Sequence, residues 1–193
     1  MLLTTLLLST GPLLARAFTP RGATHLPRQD TGVIEPTTLY TFNVGTGAIN
    51  CTNTGGLVSK SPTNGGNDTT TLITFTYPPE SAGKSCTLQF FLAGPDVTLD
   101  GTGQIDVFSS LAPAPGCTDT WPPGNGRNIQ LGRWNVETSE YATWDCYLTE
   151  PTTCAAPGTV EAYEYVGVGD YDLVQWGDAS SAPFGVETWI SYS

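Results

Sequence analysis

Histidine is almost missing from this sequence. The only one among 193 residues is His25, ahead of the main body of the chain. A serine or cysteine nucleophile activated by an imidazole is therefore excluded there, and Lys60 and Lys84 lie in no motif that would let a lysine serve instead. Positive charge is scarce as well: seven Lys and Arg stand against eighteen Asp and Glu. From Gln29 onward four basic residues (Lys60, Lys84, Arg127, Arg133) face all eighteen carboxylates, a formal charge of −14. Such a surface repels a phosphate backbone or an anionic membrane, so nucleic acid is excluded as a partner. No apolar run after the first seventeen residues approaches the ~20 residues of a membrane span. There is no phosphate-binding loop, no dinucleotide fingerprint and no pattern of amphipathic-helix spacing. Zinc is disfavoured too, because the cysteines form no C-x₂₋₄-C pair and no histidine accompanies them.

What the chain has in quantity is strand-forming Thr, Val, Tyr, Phe and Trp, punctuated by 22 Gly and 15 Pro. Alternating segments predict strands over 38–44, 70–77, 85–92, 97–99, 104–109, 128–136, 160–166, 172–176 and 186–192. In 70–77, Ile73, Phe75 and Tyr77 fall on one face and Leu72, Thr74 and Thr76 on the other; Pro78-Pro79 ends the run. Gly101-Thr102-Gly103 marks a turn, and 160–166 with 172–176 reads as a hairpin across Gly167-Val168-Gly169-Asp170. Short strands at this spacing predict an all-β single domain, an antiparallel two-sheet β-sandwich of jelly-roll or Greek-key type, with a closed barrel as the alternative.

The organisation follows from the ends. Residues 1–17, MLLTTLLLSTGPLLARA, have the apolar stretch and the Ala15-Arg16-Ala17 cut pattern of a signal peptide, though no Lys or Arg precedes the stretch. Residues 18–36 hold three Pro and no apolar period, as a flexible leader or pro-segment would. The domain is then 37–193. Export to an oxidising compartment makes disulfides the expected state of Cys51, Cys86, Cys117, Cys146 and Cys154. It also makes Asn50-Cys51-Thr52 and Asn67-Asp68-Thr69 candidate glycan acceptors.

Carboxylates are the catalytic groups the composition leaves open. Glycoside hydrolysis needs two across a bond. Glu161 and Glu164 would point to opposite faces of one strand, whereas Asp170 and Asp172 can share a face beside a glycine turn, where Asp ordinarily serves turn hydrogen bonding. They are the weak catalytic candidates. Asp96, Asp100 and Asp106 could supply oxygens to a structural calcium, although their spacing matches no EF-hand loop. Trp121 and Trp144, in loop-like contexts, are the candidates for stacking on sugar rings, against the alternative that they cap the core. Trp134, Trp176 and Trp189 lie within strands, where burial is expected.

A likeness to a known family lies in Phe75-Thr76-Tyr77-Pro78, Ala82-Gly83-Lys84-Ser85-Cys86-Thr87-Leu88-Gln89-Phe90, and Gly101-Thr102-Gly103-Gln104-Ile105-Asp106-Val107-Phe108-Ser109. Leu131-Gly132-Arg133-Trp134, Cys154-Ala155-Ala156-Pro157-Gly158 and 166–176 continue it. In this order and spacing the chain resembles the But2 C-terminal domain family of fungal proteins over about 38–193. The resemblance carries no catalytic residues across. It implies a first disulfide between Cys86 and Cys154, with Cys146–Cys154 as the rival and Cys51–Cys117 as a second pair. The expectation is a secreted, glycosylated, non-catalytic extracellular or cell-wall module without a cofactor, presenting loops to a polysaccharide or an extracellular protein. A carboxylate-driven carbohydrate-active enzyme and a structural surface protein without a ligand are the alternatives.

Overall fold

The computed structural model describes residues 32–51, 55–94, 96–111, 113, 126–146 (backbone only at 146), 152–177, 182, 184 and 186–193. Residues 1–17, read above as a signal peptide, and most of 18–36, read as a leader, lie outside these residues. Among the described residues fourteen strands form in chain order: β1 Gly32–Ile34, β2 Thr38–Asn43, β3 Ile49–Asn50, β4 Leu57–Lys60, β5 Thr69–Thr76, β6 Ser85–Phe90 and β7 Thr98–Gly101. They continue as β8 Gln104–Ser110, β9 Arg127–Asn135, β10 Thr143–Cys146, β11 Thr152–Thr153, β12 Val160–Gly167, β13 Asp172–Gln175 and β14 Thr188–Tyr192. No α-helix occurs among the described residues, and none is long and apolar enough to cross a membrane. A 3₁₀ turn, Pro79–Ser81, follows Pro78 where proline ends β5.

Two antiparallel sheets make one domain. The smaller has the order β1-β14-β6-β11; the larger runs β10-β9-β8-β12-β5-β4-β13-β7, with β2 and β3 added beside β5, and curls into a half-barrel. The core between them takes Ile73 and Phe75 from β5 and Tyr77 just beyond its end, Ile105 and Val107 from β8, Trp134 from β9 and Tyr165 from β12. The smaller sheet answers with Leu88, Phe90 and Ile190. Aromatic rings set its centre: Phe90 meets Trp176 edge-on at 5.0 Å and Tyr165 meets Trp134 at 5.0 Å. Each such side chain contributes about 1.5–3 kcal/mol by leaving water. On the opposite face of β5, Leu72 joins Phe42 and Ile49 in a second apolar cluster. The alternation expected for this strand is therefore present, with both faces covered.

Cys86 and Cys154 form a disulfide that ties β6 to the chain after β11, which removes the rival Cys146–Cys154 pairing. Cys51 is disulfide-bonded as well, while its expected partner Cys117 lies outside the described residues. Two expectations are corrected. Gly32–Ile34, assigned to the leader, is an edge strand in register with Ile190–Tyr192, so the folded domain includes residues ahead of 37. The supposed hairpin of 160–166 with 172–176 does not form. β12 pairs with β5 and β8, whereas β13 pairs with β4 and β7. Both strands carry apolar residues suited to several neighbours, and β5 and β8 together take up both edges of β12.

Candidate functional site

Strand register gathers five connections at one end of the larger sheet. Asn43 pairs with Thr69, Ser59 with Thr69, Lys60 with Asp172, Asp172 with Gly101, Gly167 with Ile105, and Gln104 with Asn135. The connections 44–48, 61–68, 102–103, 136–142 and 168–171 therefore all leave the sheet at that end. Between two of them lies an open groove of about 580 Å³, lined by Leu99, Asp100, Gly101, Thr102 and Gly103 on one wall and by Asn135, Val136, Glu137 and Thr143 on the other.

The groove is polar and built on fixed backbone. Gly101 has φ 87°, and a Cβ there would meet the Tyr171 carbonyl oxygen at 2.5 Å, so the tight β7–β8 turn requires glycine. Beneath the turn Asp172 is fully buried; its Oδ1 accepts from the Gly103 N–H at 3.2 Å and its Oδ2 from the Val168 N–H at 3.3 Å. Burial raises its pKa above the ordinary Asp value, and hydrogen bonds from Val168, Thr102 and Gly103 pull it partly back. One carboxylate thus ties the β7–β8 turn to the β12–β13 turn. On the rim, Asp100 Oδ2 accepts the Tyr171 hydroxyl at 2.9 Å and Oδ1 accepts the Gly101 N–H at 2.8 Å. Across the groove the Gln104 amide donates to Asn135 Oδ1 at 2.9 Å, which anchors that side chain.

The carboxylates singled out in the sequence are kept apart. Asp172 supports the groove from below, and Asp170 is exposed on the neighbouring turn, outside the lining. Glu161 and Glu164 do fall on opposite faces of β12. Glu161 Oε2 accepts both the Tyr77 hydroxyl at 2.7 Å and the Tyr163 hydroxyl at 2.6 Å. Glu164, with no exposed surface, accepts Arg127 Nη2 at 2.6 Å, Arg127 Nε at 3.0 Å and the Thr70 hydroxyl at 2.8 Å. The Arg127 guanidinium also lies 5.1 Å from the centre of the Phe108 ring.

The possible calcium ligands do not converge either. Asp106 is held by Arg133 at 2.7 and 3.0 Å and Asp100 by Tyr171, and no cluster of three potential ligands occurs among the described residues. Trp144 is partly buried, tilted against Trp134 at 4.8 Å and packed on the core. Trp121 lies outside the described residues.

No family model matches the chain, and no curated protein matches it. Among the described residues the groove is a concave feature lined by polar side chains. Sequence reasoning marked Gly101-Thr102-Gly103 as a turn but not as part of a site, and missed Asn135, Glu137 and Thr143. Nothing local marks these three; they become a wall through the long-range pairing of β8 with β9 and of β9 with β10.

Proposed function

We propose that this protein is a secreted, non-catalytic carbohydrate-binding module of the But2-like type, which takes a polysaccharide of the cell wall or extracellular matrix in the groove between the β7–β8 turn and the β9–β10 connection. The observation that carries this reading is the lining itself: Thr102, Asn135, Glu137 and Thr143 set carboxylate, amide and hydroxyl groups along an open cleft, with the engaged Asp100 at its rim. Such groups exchange their water for the vicinal hydroxyls of a sugar, and bonds to charged acceptors are the stronger ones, about 1.5–3 kcal/mol each. An apolar ligand would find little there. The disulfides at Cys86–Cys154 and at Cys51 accord with an oxidising compartment.

The second reading, a glycoside-cleaving enzyme, has one observation in its favour: two carboxylates, Asp100 and Glu137, both line the groove. Against it, both oxygens of Asp100 are already engaged, by the Gly101 N–H and the Tyr171 hydroxyl. Calorimetric titration with soluble β-glucan and chitin oligomers tests the proposal. Binding is expected for one of them, weakened about tenfold (about 1.4 kcal/mol) by Asn135→Ala and by Glu137→Gln. Binding that ignores both substitutions, or no binding to either polymer, refutes it. Release of reducing ends that disappears in Glu137→Gln would establish the enzyme instead.

A further inference from the structure

The two sequons are not equivalent once folded, and we infer that Asn67, and not Asn50, carries an N-linked glycan in the mature protein. The inference rests on the reading of residues 1–17 as an export signal, since the donor, a lipid-linked oligosaccharyl pyrophosphate, is met only on that route. Asn67 is exposed in the β4–β5 connection, next to Gly65 and Gly66. A Cβ built on Gly66 finds no atom within 4 Å, so space beside the acceptor is open. The connection is held by its own bonds. Asp68 Oδ1 accepts Ser61 N at 3.3 Å and Asn64 Nδ2 at 2.6 Å, and Asn64 Oδ1 accepts Gly66 N at 2.9 Å. A sugar outside this ring of contacts leaves the sheet untouched.

The chemistry at the acceptor agrees with the fold. The Asn67 Nδ2 attacks the anomeric carbon of the donor. The C–N bond forms as the C–O bond to pyrophosphate breaks, the pyrophosphate leaves with the electron pair, and the amide gives up one proton to solvent. One N–H remains on Nδ2. That suffices for the contact the side chain makes in the folded state, a single hydrogen bond to the Asn64 carbonyl at 2.9 Å. Asn50 has a different setting. It lies in β3, opposite Thr41, and the residue after it is Cys51, which is disulfide-bonded. A glycan there would have to share its three-residue sequon with strand pairing and a cross-link.

The register places the Asn67 connection at the groove end of the sheet. Lys60, Asp172 and Gly101 lie side by side on three adjacent strands, and strand spacing puts the first roughly 10 Å from the last.

The test is expression of the full chain in a yeast host, once with its own leader and once with a proven export leader, followed by peptide N-glycosidase digestion and peptide mapping. With the proven leader, conversion of Asn67 to Asp and an unmodified Asn50 are expected. Asn67→Gln should abolish the mobility shift, whereas Asn50→Gln and the sequon-preserving Thr69→Ser should keep it. Secreted protein unmodified at Asn67, or modified at Asn50, overturns the inference. Modification with the proven leader alone leaves the site standing and removes the reading of residues 1–17.

Discussion

Replacing Arg127 by Met is the sharpest probe of how this fold tolerates charge inside it. Glu164 has no exposed surface, and Arg127, itself 35% exposed at the side chain, supplies two of the hydrogen bonds to its carboxylate. Breaking a buried pair from one side typically costs about 3–5 kcal/mol, because the other charge stays buried. Water entering through the opening left by Arg127 pulls the expected value to the bottom of that range, about 3 kcal/mol. For a domain of this length that is a fall in Tm of about 6–12 °C. The companion variant, Arg127→Met with Glu164→Met, removes both charges and keeps apolar volume. Its stability should return to within about 1–2 kcal/mol of the parent, the residue being the Thr70 hydroxyl that loses its acceptor. Urea unfolding followed by tryptophan fluorescence measures all three proteins, with equal m values as the check that the unfolded states compare. A single variant within about 0.5 kcal/mol of the parent, or a double variant as unstable as the single, would show that the pair does not behave as a buried one.

Three further outcomes are expected. Burial raises the phenols of Tyr77, Tyr163 and Tyr165 well above the tyrosine range, with the Glu161 charge adding to the first two. The native state therefore keeps protons the unfolded chain releases, so stability is unaffected below about pH 10 and falls as pH rises beyond it. Phenolate absorbance should show these three titrating only as the protein unfolds; titration of all eight tyrosines in the native state would contradict this. Asp172→Ala takes the acceptor from the Gly103 and Val168 N–H groups, so a loss of about 1–3 kcal/mol in urea unfolding is expected, together with weaker glycan binding in the titration described above. Removing the Cys86–Cys154 link, whose partners are 68 residues apart, by the paired change to Ser should cost about 4 kcal/mol by the chain-entropy relation, and a loss under about 1 kcal/mol would show that the unfolded chain is already constrained.

Strands with a two-residue alternation were legible in the sequence because period and burial coincide in them. β5 is the clear case: its Ile73 and Phe75, with Tyr77 just past its end, enter the main core, as their spacing indicates. The short strands β1, β3, β4, β10 and β11 carry too few residues to show a period and exist through pairing alone. The same limit hid half of the groove. Asp172 attracted notice as a carboxylate beside a glycine turn, and hydrogen bonding of that turn is what it does. Asn135, Glu137 and Thr143 are ordinary polar residues until β8 and β10 flank β9. Pairing partners were the hardest to foresee: adjacency in sequence suggested β12 with β13, but long-range partners won both edges of β12.

The gathering of five connections at one end of the larger sheet gives this protein a division of labour along its strands. Changes at the exposed residues of 44–48, 61–68, 102–103 and 168–171 alter the rim and leave the aromatic centre around Phe90 and Trp134 in place, whereas Val136 and Ala142 of the remaining connection pack on that centre. Surface connections accept insertion and replacement far more readily than the elements they join. A lineage, or an engineer, could therefore rewrite the chemistry of this rim over an unchanged body, with Asp172 as the buried carboxylate that such rewriting must respect.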